Sequence, residues 1–139
     1  MRKQEQRLWD RLRAKAVAPR VRLERIENLV GVGTPDVIAI SRGQVTWIEL
    51  KAVDAFPAKA ATRVLGAKGL NVSQRNWHYN WYAEGGSSLI LIGVGPISFY
   101  AIPGVLADAV NEMSHSDLVK RDIADDWDSL FAYLGERKI

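Results

Sequence analysis

The period of apolar and polar positions changes along the chain, and each change marks an element. Over residues 3–16, Leu8 and Leu12 stand four apart with Trp9 beside them among Lys, Arg, Gln and Glu. That is the pattern of an amphipathic helix, and Pro19 marks its stop. Residues 20–28 alternate charged and apolar side chains, which predicts a strand with one wet face. Gly31, Gly33 and Pro35 then break the chain. Two β-rich runs follow at 37–40 and 45–53, separated by Ser-Arg-Gly-Gln, a hairpin turn in which Gly43 is free to take a positive φ.

From Asp54 to Val72 no period holds, and Ala, Gly, Lys and Pro dominate. A loop of that length in a compact domain is usually functional or mobile. Ser73 is placed to cap a helix over 74–84, on which Gln74, Trp77, His78 and Trp81 share one face, and Gly85-Gly86 ends it. Strands are expected over 88–94 and 97–102, joined through Gly95-Pro96. Pro103 opens a helix to about Met113, and a last helix runs from about Asp117 to Leu134 with Trp127, Leu130, Phe131 and Leu134 as its apolar stripe.

Composition narrows the class. The chain has 139 residues, 47% of them apolar and 25% charged, which suits one globular domain and not a fibrous or disordered chain. It has no cysteine, so disulfides, cysteine-based zinc or iron–sulfur sites and thiol chemistry are excluded. No apolar run approaches the ~20 residues of a membrane span, and Met-Arg-Lys-Gln-Glu-Gln-Arg does not read as a signal peptide. The expectation is a soluble cytoplasmic protein.

The net charge is only +3, but it is unevenly spread. Residues 1–25 hold nine Lys and Arg against three acids, residues 42–75 hold six against two, and residues 105–139 hold four against eight. This polarity suits a basic face turned to a polyanion and an acidic end turned away, although a solvated basic helix has the same composition.

The segment most informative about chemistry is Gly33-Thr34-Pro35-Asp36 followed by Ile48-Glu49-Leu50-Lys51. With the hairpin turn centred between Arg42 and Gly43, Ile40 faces Val45 and Asp36 faces Glu49. A bulge at Gly43 would shift that pairing by one residue. Directly opposed residues bring their Cβ atoms to about 4.5–5.5 Å, where two carboxylates repel unless a cation lies between them. Lys51, two residues on, shares the face of Glu49. Two carboxylates suit Mg²⁺, which activates phosphodiester hydrolysis, and a lysine beside them can position or deprotonate water or neutralise the developing charge. The bland alternative is a turn-capping Asp36 with Glu49 and Lys51 as ordinary charges on an exposed strand.

Taken together, helix, strand, Gly-Thr-Pro-Asp, hairpin, Ile-Glu-Leu-Lys, basic loop and a helix opened by Ser-Gln-Arg-Asn-Trp resemble the PD-(D/E)xK nuclease superfamily. The closest likeness is to its VRR-Nuc branch of stand-alone phage and bacterial nucleases related to Holliday-junction resolvases. The resemblance spans about residues 4–103. It implies an α/β, restriction-endonuclease-like core, a central mixed β-sheet flanked by helices, in a single nuclease domain over 1–139 with an extra C-terminal helical segment from about 104. It also implies a Mg²⁺ site in which Mn²⁺ can substitute, DNA phosphodiester hydrolysis, and a bacterial or phage-infected cell as the setting.

By position, Asp36 and Glu49 match the metal-binding acids and Lys51 the catalytic lysine. The Leu50 backbone carbonyl would be a further ligand, and Gln74 matches a glutamine that points back to the site. Glu5 is the best match to an acid on the first helix that often joins such sites, with a solvated helix charge as the alternative. Glu24 and Glu27 are weaker candidates. Lys59, Arg63, Lys68 and Arg75 are candidates for gripping DNA phosphates. Trp77, His78, Tyr79, Trp81 and Tyr82 suit base stacking, core or a subunit interface. His78 and His115 are too few and too far apart in sequence for a zinc site.

The function expected is Mg²⁺-dependent endonuclease action on branched DNA such as four-way junctions by a homodimer, since two symmetric cuts suit two active sites. The alternatives are a noncatalytic DNA-binding or assembly protein with the same fold, a nuclease without junction preference, or a metal-dependent RNase or nucleotide-processing enzyme.

Overall fold

The computed structural model describes residues 3–16, 20–26 and 32–137. Pro19, Glu27 and Gly31 lie outside these residues. The element order is α1 (Lys3–Lys15), β1 (Arg22–Arg25), β2 (Val37–Ser41), β3 (Gln44–Val53), a 3-10 turn (Gly66–Lys68), α2 (Val72–Ala83), β4 (Ser87–Val94) and β5 (Ser98–Pro103). A second 3-10 turn (Gly104–Leu106) leads into α3 (Ala107–Val110), α4 (His115–Arg121) and α5 (Trp127–Leu134).

The five strands form one sheet in the order β1-β2-β3-β4-β5. All neighbours are antiparallel except β3 and β4, which are parallel because α2 lies between them in the chain. Arg42 and Gly43 take φ of 50° and 80° between the paired Ser41 and Gln44. Both are left-handed, as a two-residue hairpin of matching twist requires, so the turn holds the unbulged register with Ile40 opposite Val45.

Apolar side chains cover both faces. One core joins Leu8, Trp9 and Leu12 of α1 and Leu130, Phe131 and Leu134 of α5 to Val37, Ala39, Ile48, Leu50, Leu89 and Leu91 of the sheet. The opposite core joins Val53, Ile90, Ile92, Tyr100 and Ile102 to Val64, Leu65 and Leu70 and to the α3 and α4 region. Burial on both faces explains why β4 reads as an unbroken apolar run. The outer edge of β5 is closed by chain: Ile123 N donates to the Ala101 carbonyl, and Ala101 N donates to the Ala124 carbonyl.

Several sequence expectations change. The first strand, expected over 20–28, is Arg22–Arg25, and residues 27 and 28 lie outside the described residues. The cap of α2 is Asn71, not Ser73, because Asn71 accepts from Gln74 N at 2.9 Å while the Gln74 side chain accepts from Asn71 N at 3.0 Å. The stretch expected as a helix from Pro103 to Met113 is a 3-10 turn followed by a single helical turn. The continuous helix expected over 117–134 is two helices, since α4 ends at Arg121 and Asp126 caps a new start through Ser129 N at 2.8 Å. Residues 54–72 hold a 3-10 turn, anchored by buried Val64, Leu65 and Leu70. Among the described residues no helix is long and apolar enough to cross a membrane.

Candidate active site

The hairpin register ends with Val37 opposite Ile48, and Asp36, the residue just before β2, brings its side chain into contact with Glu49. The Asp36 carboxylate accepts a hydrogen bond from Leu50 N at 2.9 Å. In a strand, the N–H and C=O of one residue point to the same side, so the Leu50 carbonyl is also turned toward the Asp36 side. Gly33 permits this approach. Its φ is +84°, and a Cβ there would stand 2.3 Å from the Ser73 carbonyl oxygen, so the loop leading to Asp36 lies directly against the start of α2.

Glu49 is only 2% exposed. Burial, followed by hydrogen-bonding contact with Asp36 and the Asp36 charge, drives its carboxyl far above the ordinary carboxylate range, and Lys51 opposes the rise. Glu5 of α1 is near enough for its charge to act on Glu49 in the raising sense. Two carboxyl groups in contact, one deeply buried, form a site that favours a proton or a cation between them.

His78 of α2 is fully buried above the same sheet face, with Nε2 3.9 Å from Glu49 Oε1. Neither atom makes a hydrogen bond. His78 Nδ1 lies 2.7 Å from Ser88 Oγ on β4. Burial lowers the imidazole pKa to about 4, so the ring is neutral at physiological pH. In the sequence His78 reads only as part of an aromatic helix face. The one signal of its role is its position four residues after Gln74 on that face, which turns it toward β3.

The other candidates separate. Gln74 stands beside the Gly33 loop, with its carboxamide oxygen engaged in the α2 cap. Glu24 is exposed and pairs with Arg22 at 2.7 Å. Arg63 pairs with Glu112 at 2.5 Å, and Arg75 donates to the Leu70 carbonyl at 2.8 Å, whereas Lys59 and Lys68 are exposed. Trp77 and Trp81 stack with centroids 5.2 Å apart and meet Trp47 edge-on, while Tyr79 and Tyr82 face outward. Leu130, Phe131 and Leu134 of the last helix's apolar stripe are buried in this chain's own core, with Trp127 partly buried against them.

A divalent cation would fit this donor set: two carboxylates and one carbonyl supply the hard oxygen ligands that Mg²⁺ takes, and the Glu49 oxygen is buried without a partner. Among the described residues no three His, Asp or Glu side chains are gathered as a metal cluster. Water and substrate oxygens would supply further ligands.

A mixed five-stranded sheet flanked by helices defines a restriction-endonuclease-like fold. A solved structure that shares it is Hjc of Archaeoglobus fulgidus, a Holliday junction resolvase from an archaeal hyperthermophile. The TM-score is 0.60 at 12% identity, covering 93% of this chain and 95% of that one. In sequence, no protein-family model and no curated protein matches the chain.

Proposed function

We propose that this protein is a Mg²⁺-dependent endodeoxyribonuclease that acts on branched DNA, with Mn²⁺ able to replace Mg²⁺. The observation that carries the reading is the buried Glu49 carboxyl set against Asp36, with Lys51 on the same strand face. A solvated pair of surface acids has no reason to lie in contact with one of them only 2% exposed. The preference for a four-way junction is supported by the fold shared with a Holliday junction resolvase. Assignment to the VRR-Nuc branch is supported only by the Gly-Thr-Pro-Asp, Ile-Glu-Leu-Lys and Ser-Gln-Arg-Asn-Trp motifs.

Asp36 and Glu49, with the Leu50 carbonyl, would hold the cation, which supplies polarisation of the phosphodiester and acidification of water. Leu50 N fixes the Asp36 carboxylate, so that ligand is oriented before substrate arrives. Lys51 offers an ammonium to the phosphate oxygens as negative charge grows on them. Lys59, Lys68, Arg63 and Arg75 form the phosphate-binding set, the two arginines exchanging their internal partners for DNA. Two symmetric cuts in a junction call for a homodimer, and sedimentation at micromolar protein is expected to show one.

The test is cleavage of labelled four-way junction, linear duplex and single-stranded DNA with Mg²⁺, Mn²⁺ or EDTA. Metal-dependent cutting at paired junction positions, lost in Glu49→Ala and Lys51→Ala, is the expected result. Equal cutting of linear duplex would remove the junction preference. Binding to the junction without cutting would make this a noncatalytic DNA-binding protein.

A further inference from the structure

Below the two carboxylates runs a second line of polar groups that reaches the site from inside the core. His78 on α2 and Ser88 on β4 are both buried, and their side chains meet at 2.7 Å. Gly104 closes over the pair: a Cβ there would come within 1.8 Å of Ser88 Oγ and 3.1 Å of His78 Nδ1. That leaves His78 Nε2, sealed from water and without a hydrogen bond, 3.9 Å from Glu49 Oε1, which is also sealed and unbonded. Two orphaned buried atoms facing one another one small side-chain rotation short of a hydrogen bond call for an explanation, because each carries its full desolvation cost in this arrangement.

The geometry points to His78 as the positioning residue of Glu49: Ser88 Oγ–H donates to Nδ1, the imidazole proton is therefore on Nε2, and that N–H donates to Glu49 Oε1 when the carboxylate turns to hold a divalent cation. The inference rests on Glu49 being a ligand, as proposed above. A neutral imidazole has one N–H, so the nitrogen that accepts from Ser88 decides which nitrogen donates. The pattern is that of an outer hydrogen-bond donor orienting a metal-binding carboxylate, here through a ring that touches neither cation nor substrate. The same arrangement accounts for a polar serine and a histidine in the core between α2 and β4, where apolar residues would pack as well.

Two measurements test this. Long-range ¹H–¹⁵N correlation of the His78 ring, in the free protein and with Mg²⁺, is expected to show the Nε2–H tautomer. The Nδ1–H tautomer in the presence of Mg²⁺ would overturn the inference. Calorimetric titration with Mn²⁺ then compares the wild type with Glu49→Ala, His78→Leu and His78→Gln, each checked for folding by its thermal transition. His78→Leu is expected to weaken Mn²⁺ binding by about tenfold or more, and His78→Gln, whose amide N–H can reach the position of Nε2, to recover most of the loss. Wild-type affinity in His78→Leu, or equal weakness in both His78 variants, overturns the inference alone. Unchanged Mn²⁺ binding in Glu49→Ala overturns the ligand role of Glu49 and this inference with it. Should His78→Leu not fold, Ser88→Ala carries the test: the ring proton redistributes between the nitrogens and Mn²⁺ affinity falls, and no change in either overturns the assignment.

Discussion

Glu49 and His78 are buried ionisable groups whose pKa values move in opposite directions, and stability should record both. Glu49 holds its proton in the metal-free fold far above the ordinary carboxylate value of 4.5. The folded state therefore binds more protons than the unfolded state, and the contribution present below that value is lost as pH rises toward the folded pKa. His78, lowered from 6.5 to about 4, does the reverse: its contribution is present above 6.5 and is lost as pH falls toward 4. The two oppose each other between those carboxylate and imidazole values, and above the ordinary imidazole pKa only Glu49 acts. In EDTA, urea unfolding at about pH 7 and about pH 9 is expected to show the wild type losing stability and Glu49→Gln losing less. An equal decline in both would mean that Glu49 is not the source. With Mn²⁺ present the wild type gains stability from the bound ion, a gain that grows with pH because cation replaces proton.

The β2–β3 hairpin and the loop before it carry the site, and each contains one position where the backbone dictates the residue. Arg42 sits at φ 50°, a left-handed conformation costly for a side chain with a Cβ. Arg42→Asn, giving the favoured Asn-Gly turn, is expected to raise stability by about 0.5–1 kcal/mol without touching the site. An unchanged thermal transition would count against that turn. At Gly33 the sign reverses. Gly33→Ala must fit a Cβ against the Ser73 carbonyl at positive φ, and a loss of about 1–3 kcal/mol is expected, with cleavage impaired because Asp36 moves away from Leu50 N.

The turn is legible from Arg42-Gly43, but its register is not, because a bulge at Gly43 would shift every pair by one residue. The break between α4 and α5 is not, because Asp122–Asp126 reads equally as polar helix or as caps. The structure shows Asp122 Oδ1 accepting from Ala101 N at 2.9 Å and Ala124 N at 3.0 Å, a partner on β5 that no local pattern reveals. Asn71 as the cap of α2 escapes sequence reading for a similar reason: Ser73 and Asn71 are both good capping residues, and only the reciprocal hydrogen bonds of Asn71 and Gln74 distinguish them.

Across the molecule as a whole, charge separates from core. The basic loop after β3 and the acidic C-terminal segment lie at different parts of the sequence, yet the fold joins them where Arg63 pairs with Glu112. DNA must compete with that partner, whereas Lys59 and Lys68 are exposed. Lys59→Ala with Lys68→Ala is expected to weaken junction and duplex binding alike and to reduce the salt slope by about 0.9 for each phosphate that is no longer neutralised. Weaker binding to the junction alone, with the duplex slope unchanged, would show that these lysines read shape rather than charge.

The local order of the chain was sufficient for the helix–strand–hairpin order and for singling out Asp36, Glu49 and Lys51 as candidates, because these depend on turn chemistry and on side-chain alternation within a few residues, whereas the left-handed φ of both Arg42 and Gly43 was needed to choose the unbulged register. Three further things needed the packed fold: the burial of Glu49, the approach of His78 to it with Ser88 against the far side of the ring, and the enclosure of the α5 stripe. Each depends on which element covers which face of the sheet. A strand apolar on both faces, such as β4, holds no local record of whether α1 and α5 or α2 will lie above it.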